Sequence, residues 1–316
     1  MLSSVMHERS FSRFARHFYR SYRNGRITIG HSLIRRALEH MIVKHQEIQL
    51  RSGLKMDLDL TKGNQNGIFW YDGDVEVPLT WAIRELVPVG GIFLDCGANC
   101  GLMGLLARQY RRARVIFLEP HPRLAKSILA NIRLNSFEDS CELIEAAVSD
   151  SSGEVTFYES AVADGSHSIH QDWAMDLGEV RPLGKVRCVT LREIIEAKNL
   201  PKIHFLKIDT EGNDYAVLKG LAHYLQPSFT EAIYVEMDRD RDTIRDLMQT
   251  KGYVGFAQVP RKRRALARAQ QHYERGVCVN FFVPFEPDTP LHGELLWCGK
   301  SSSLTARLMN LNRRTF

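Results

Sequence analysis

The sequence predicts an α/β fold: a doubly wound, mostly parallel sheet preceded by a helical N-terminal extension. Three observations carry this. From Ile92 onward, short apolar strands alternate with amphipathic helices. The first of these units is a strand, a glycine turn and a helix in immediate succession. Four successive strands of the parallel set each end at an acid.

The unit at residues 92–106 organises the chain. Ile92, Phe93 and Leu94 form a short buried strand that stops at Asp95. Gly97 and Gly101 turn the backbone and let it approach a ligand closely. Leu102, Met103, Leu105 and Leu106 open the helix. Such a unit presents backbone N–H groups and a helix N-terminus, although a plain tight turn satisfies the same residues. It is not the dinucleotide fingerprint, because the second and third glycine positions hold Asn99 and Leu102. An acid at the strand end suits a cationic group, such as the ammonium of an amino acid.

The remaining elements follow in order. Residues 9–23 predict an amphipathic helix, with Phe11, Phe14, Phe18 and Tyr22 on one face and Arg9, Arg13, Arg16, Arg20 and Arg23 opposite. It reads as a helix docked on the main domain, as an arm for a membrane surface or nucleic acid, or as a transit segment. Residues 31–50 predict a second helix. Residues 53–59 are extended, residues 62–67 a turn, and residues 75–87 a helix closed by Pro88, Gly90 and Gly91. Strand 115–118 ends at Glu119, and helix 123–134 follows. Strand 142–148 precedes an alternating outer strand at 155–158. Residues 159–184 are a long loop, which is itself a functional pointer. Strand 186–190 and helix 191–198 lead to the buried strand 203–208, which ends at Asp209. Helix 214–225, strand 232–235 ending at Glu236, and helix 240–251 complete the alternation. Strands 253–257 and 277–283 form a closing antiparallel pair around a basic loop at 261–275. The organisation is therefore an extension at 1–52, a main domain at 53–290 and a C-terminal tail at 291–316.

Composition narrows the class. Apolar residues make up 44% of the 316, enough for a full core. No apolar run reaches the roughly 18 residues that a membrane span needs. The chain has 42 basic and 37 acidic residues, an excess of five, and residues 1–26 alone carry six arginines against Glu8. The remainder is thus neutral. The six cysteines show neither a CxxC pair nor zinc spacing, and no metal site is expected. They fit buried thiols in a reducing, cytoplasmic compartment.

Asp95, Glu119, Asp209 and Glu236 close parallel strands, whose carboxyl ends share one rim, so their side chains converge on one crevice. Glu119 follows Asp95 at about the distance at which an acid accepts ribose hydroxyls in such sheets. Pro120, His121 and Pro122 hold it at the rim. An adenosine ligand with a cation near Asp95 and no pyrophosphate cradle describes S-adenosylmethionine.

At these residues the chain resembles the FkbM family of class I methyltransferases. The resemblance is carried by Asp95-Cys96-Gly97-Ala98-Asn99-Cys100-Gly101, Glu119-Pro120, Asn131 with Asn135, Ala147-Val148-Ser149-Asp150 with Gly153, Thr190-Leu191, Lys207-Ile208-Asp209-Thr210-Glu211-Gly212 and Leu218-Lys219-Gly220. Asp214 stands where the family usually has Glu. The resemblance implies a seven-stranded Rossmann-like sheet, S-adenosylmethionine as cofactor, and O-methylation of a hydroxyl on a sugar, polyketide or other small metabolite. It places Asp95 and Gly97 at the methionine end, Glu119 at the ribose, the backbone of Ala147 and Val148 at the adenine, and Asp209 beside the methyl donor, with Asn99 and Gly101 also in the cofactor site. Candidates for the base are His167, His170, Asp209, Glu211 and Glu236. The expected partner is a small hydroxylated acceptor. The rival readings are methylation of RNA or a phosphorylated macromolecule through the arginine arm and residues 261–275, and a non-catalytic S-adenosylmethionine-binding protein.

Overall fold

The computed structural model describes residues 42–160, 167–175, 179–237, 239–259, 281–285 and 293–312, together with Ala15, Leu38, Glu39, Ala269 and Tyr273. The helix expected at 9–23 and the basic loop at 261–275 lie outside the described residues, apart from Ala15, Ala269 and Tyr273. Among the described residues no helix is long and apolar enough to cross a membrane.

The alternation of strand and helix produces one large sheet. Its central strands are β3 (Ile92–Cys96), β4 (Arg114–Leu118), β5 (Cys141–Ile144), β9 (Ile203–Ile208) and β10 (Thr230–Glu236). β11 (Tyr253–Gln258), β12 (Phe282–Pro284) and β13 (Glu294–Gly299) complete it, in the order β12-β11-β13-β10-β9-β3-β4-β5. The five central strands are parallel, and winding reverses between β3 and β9. β13 runs antiparallel between β10 and β11, which restores β11 to the common direction.

Side chains alternate across this sheet, so each strand feeds two cores. On one face Phe93, Phe117 and Phe205 are fully buried, and the rings of Phe93 and Phe205 stack at 5.3 Å. Helices α1 (Gly63–Tyr71), α2 (Val77–Leu86), α3 (Leu102–Arg111) and α4 (Pro122–Leu134) cover that face. On the other, Leu94, Ile116 and Leu206 pack under α6 (Leu191–Ala197), α7 (Asp214–Gly220) and α8 (Arg241–Thr250). Each such buried side chain contributes roughly 1.5–3 kcal/mol over exposure.

Several elements depart from the sequence reading. The sheet has eight strands, because Glu294–Gly299 enters between β10 and β11 in addition to the expected seven, while the antiparallel pair expected at 253–257 and 277–283 is present as β11 with β12. Residues 45–49, expected as helix, are strand β1 (His45–Gln49), which pairs with β2 (Lys55–Asp59). Its burial alternates residue by residue, and the helical stripe before it does not extend that far. Residues 62–67 open α1 instead of a turn, because burial of Ile68, Phe69 and Trp70 outweighs the glycine and asparagine content. The strand expected at 142–148 breaks after Ile144, and β6 (Ala147–Val148) joins a second, three-stranded sheet with β7 (Gly153–Ser160) and β8 (Val180–Val189). The loop expected at 159–184 contains the short helix α5 (Gln171–Met175) and the start of β8. Helix 214–225 ends at Gly220 and finishes in a 3-10 turn, Ala222–Tyr224. Glu294–Gly299, read as tail, is an interior strand, and α9 (Ser303–Asn312) follows it.

Two asparagines lock the β1–β2 hairpin to the main domain. The fully buried Asn131 accepts from the Asp57 N–H at 2.7 Å and donates to the Cys100 carbonyl at 3.2 Å. Asn135 both accepts from and donates to the Lys55 backbone. Asn131→Leu strands two backbone groups and is expected to cost about 2–4 kcal/mol, at ~1–2 for each. Urea denaturation of the variant, read by circular dichroism, checks this. An unchanged midpoint would contradict it.

Candidate active site

Strand register builds the site from below. Asp95 on β3 and Lys207 on β9 are direct register partners, and Lys207 is in turn the partner of Tyr234 on β10. These three side chains therefore form one row on the face that carries Phe93 and Phe205. Lys207, 4% exposed, places its ammonium 3.5 Å from Asp95 Oδ1, 2.9 Å from Asp209 Oδ2 and 3.2 Å from the Gly97 carbonyl.

The two acids respond differently to the shared cation. Burial opposes charge on both. For Asp209, whose side chain is 32% exposed, Lys207 outweighs burial and lowers the carboxyl below its ordinary range. For Asp95, whose side chain is 1% exposed, burial wins and raises it, although the Gly104 N–H donates to Oδ2 at 3.0 Å. Burial also opposes the Lys207 charge, but Asp209, Asp95 and Glu76 together raise its pKa well above the usual lysine value.

Above this row the turn after β3 meets the end of β9. Gly97 has φ 73°, and a Cβ there would lie 1.7 Å from the Asp209 carbonyl oxygen. Only glycine permits that approach. Asn99 is also left-handed, at φ 54°, and its N–H donates to Glu119 Oε2 at 2.8 Å. The His121 N–H donates to Glu119 Oε1 at 2.9 Å. Burial still pushes Glu119 up to about 7. On the far side Glu211 is left-handed at φ 53°, and Trp173 Nε1 donates to its Oε2 at 3.1 Å. Burial, then Asp209, pushes Glu211 up to about 8. Ser168 Oγ donates to the Glu211 carbonyl at 2.7 Å, so the 168–173 segment roofs the turn after β9.

These groups line one cleft of about 650 Å³, a size that suits a ligand of drug dimensions. Asp95, Gly97, Asn99, Glu119, Ala147, Val148, His167, Asp209, Glu211 and Glu236 all border it. Gly101 does not: it starts α3, in the left-handed conformation. His170 does not either, and its Nε2 lies 3.2 Å from Asn213 Oδ1. His167 packs 4.8 Å from the His121 ring, and its Nδ1 accepts the Ser160 N–H at 3.2 Å, which commits the lone pair a base would need. Lys207, Tyr234, Glu76 and Glu294 also border the cleft and were not singled out as site residues from sequence. Lys207 was visible within its motif, but its partners depend on register.

Among the described residues, two groups have the composition of metal ligands. Asp209, Glu211 and Glu236 bring one oxygen each within 4.8 Å of one another, as do His121, Glu159 and His167. In the second group both histidines accept a backbone N–H at Nδ1, from Arg123 and Ser160. Each Nε2 then keeps its proton and is a donor, not a ligand. In the first, Lys207 already supplies a cation to Asp209.

Residues 95–254 match the family described as Methyltransferase FkbM domain. The chain belongs to the FkbM methyltransferase family. Hexuronic acid methyltransferase AglP of Haloferax volcanii is 25% identical over 136 residues, covering 43% of this chain and 52% of that protein. Methyltransferase sdnD of Sordaria araneosa is 25% identical over 160 residues, covering 43% of this chain and 62% of that protein. The chain thus spans a little over half the length of these curated relatives. M. jannaschii TYW2, crystallised with AdoMet, is 10% identical, covers 81% of this chain and 85% of its own, and superposes with a TM-score of 0.41.

S-adenosylmethionine is the cofactor of this FkbM domain, and the cleft fits it. Asp95 Oδ1 is buried, with Lys207 Nζ at 3.5 Å and no hydrogen bond among the described residues, so it retains a lone pair that an ammonium could share. Ala147, Val148, Leu124 and Phe157 offer an apolar wall for a purine.

Lys207→Met leaves the buried Asp95 and the half-buried Asp209 without their cation and is expected to cost about 3–5 kcal/mol at neutral pH. Asp209 is depressed in the folded state, so its contribution is present above its unfolded pKa of about 3.9 and fades as pH falls through the folded value. Lys207 is raised, so its contribution is present below its unfolded pKa of about 10.4 and fades as pH rises through the folded value. Urea denaturation should therefore show the largest wild-type advantage between about pH 4 and 10. A gap that persists unchanged in acid would contradict the pairing.

Proposed function

We propose that this FkbM domain transfers the methyl group of S-adenosylmethionine to a hydroxyl of a small polyhydroxylated acceptor, with a sugar the leading class. One observation carries the reading. One cleft is bordered by Asp95, Glu119, Ala147 and Val148 and also by Asp209, Glu211 and Glu236, which supports a donor and an acceptor bound side by side. AglP, which bears the name of a sugar-acid methyltransferase, supports the acceptor class. The acidic lining weighs against a nucleic-acid acceptor, whose phosphates it would repel.

In this reading Asp95 receives the donor's ammonium, Glu119 the ribose hydroxyls, and the Ala147–Val148 backbone the adenine. The bound donor supplies an activated sulfonium methyl. The protein must then align the acceptor oxygen, and alignment of this kind is worth up to ~7–11 kcal/mol in favourable cases. Asp209, ionised by Lys207, orients the acceptor. Glu211 takes the hydroxyl proton, a contribution of roughly a hundred- to ten-thousandfold. Its raised pKa matches that role, and Trp173 fixes one of its oxygens.

The reading is tested with methyl-labelled S-adenosylmethionine and a panel of sugars and hydroxylated metabolites, with products identified by mass. Transfer to oxygen supports it, and transfer to none while the donor is bound would count against it. A base must be deprotonated, so kcat/KM should rise with pH to a midpoint near about 8, the Glu211 value. The kcat profile should titrate lower, because Glu211 then faces a cationic donor. Glu211→Gln should lose ~100-fold or more in kcat and flatten the profile. A variant that keeps the wild-type profile would remove Glu211 from the role.

A further inference from the structure

The register that aligns Lys207 with Tyr234 also sets two acids side by side. Ile208 on β9 pairs with Val235 on β10, so Asp209 and Glu236, the next residues, follow together on one face. On its other flank Glu236 is the cross-strand partner of Glu294 on β13. An acid between two acids is a costly arrangement when all three are ionised. The Asp209 and Glu236 carboxyls are nonetheless hydrogen-bonded to each other. Each brings an oxygen within 4.8 Å of the other and of one from Glu211. A carboxylate only accepts, so a hydrogen bond between two carboxyls requires that one of them carry a proton. Lys207 decides which. Its ammonium lies 2.9 Å from Asp209 Oδ2 and holds that carboxyl in its ionised form, so the proton belongs to Glu236.

We propose that Glu236 is a positioning residue: a neutral carboxylic acid whose O–H donates to the Asp209 carboxylate, fixes it at the cleft, and leaves Glu211 as the member of this trio that takes the acceptor's proton. The role in proton transfer rests on the methyl-transfer reading above, whereas the shared proton does not. Asp209 is held by a cation on one side and a proton on the other, so its orientation is fixed and its basicity is spent. Glu236 already has its proton and takes no other. In the transfer step the O–CH3 bond forms as the S–CH3 bond breaks with its electron pair left on sulfur, and the hydroxyl proton passes to Glu211. The Glu236 proton stays where it is. A neutral Glu236 also adds no charge beside Glu211, which an ionised one would push above its value of about 8. The titratable groups around the pair are Lys207, Asp95, Glu211, Tyr234, Glu294 and Glu76. The acids among them favour a proton on Glu236, and Lys207 favours charge on the carboxyl it touches, Asp209.

The test is carbon-13 NMR of the intact chain labelled at glutamate Cδ, whose shift separates a carboxylic acid from a carboxylate. Glu236→Gln identifies the Glu236 signal by its loss, Glu236→Asp does so independently, and Glu211→Gln identifies the second signal. The proposal expects Glu236 to read as an acid at neutral pH and to stay one through the Glu211 transition near about 8. Asp209→Asn removes both the acceptor of the proton and the neighbouring charge while Lys207 remains. Glu236 should then ionise at a pH lower by about one unit or more. Glu236→Gln exchanges one neutral group for another, so the Glu211 midpoint should hold its place. An ionised Glu236 in the wild-type chain at neutral pH would overturn the assignment. So would a Glu211 midpoint that falls by about one unit or more in Glu236→Gln, since the residue removed was then charged. A Glu236 signal indifferent to Asp209→Asn would overturn it too. These spectra are taken without donor or acceptor, so a chain that transfers methyl to no hydroxyl would instead remove the methyl-transfer reading.

Discussion

One buried ammonium holds the rim of this protein together. Lys207 lies between Asp95 and Asp209 on adjacent strands, with almost no access to water. Without it, two carboxyls would face each other across a low-dielectric gap, and one or both would protonate or the strands would part. With it, Asp209 stays ionised at the mouth of the cleft while Asp95 remains buried beside the same ammonium. The lysine is thus the counter-ion that keeps Asp209 ionised, and it needs no contact with a substrate to do so.

A second constraint is steric. The turn after β3 passes so close to the Asp209 carbonyl that no side chain fits at Gly97. That approach brings the two halves of the doubly wound sheet together at their switch point, where the winding reverses. The gap opened there by departing loops is the cleft. Its walls come from both sheets, because Ala147–Val148 leaves the large sheet for the small one. The 168–173 segment then closes over Glu211 through Ser168 and Trp173. Donor-side geometry rests on tight turns and buried backbone bonds. The opposite end of the cleft is built from strand ends and one helix start, and is bordered by Glu236, Glu294 and Glu76.

Much of this was legible in the sequence. The unit from Ile92 to Leu106, the alternation that follows, and the four acids at strand ends are local patterns, and the fold class follows from them. The family motifs around Asp95 and Lys207 named the cofactor. What was hidden depends on contacts far apart in sequence. Glu294 looked like part of a tail, because a six-residue strand after residues with no periodic pattern has no signature of its own; its place between β10 and β11 exists only in the sheet. Glu76 looked like an ordinary helix start. Lys207 read as a motif letter, since its register against Asp95 and Tyr234 cannot be counted along the chain. His45–Gln49 was absorbed into the preceding apolar stripe, and Gly63–Tyr71 was masked by its glycines and asparagines. His167 was an attractive base from sequence, and its backbone bond to Ser160 is what alters that reading.

The central claim is that the cleft organised by Lys207 binds S-adenosylmethionine through Asp95 and Glu119. Isothermal titration with S-adenosylhomocysteine tests it most directly, using the intact chain beside Asp95→Asn and Glu119→Ala. The account predicts one site per chain, micromolar affinity, and a loss of at least tenfold in each variant while the variants remain folded. A folded chain that binds no S-adenosylhomocysteine, or binds it equally well without Asp95 and Glu119, would contradict the account.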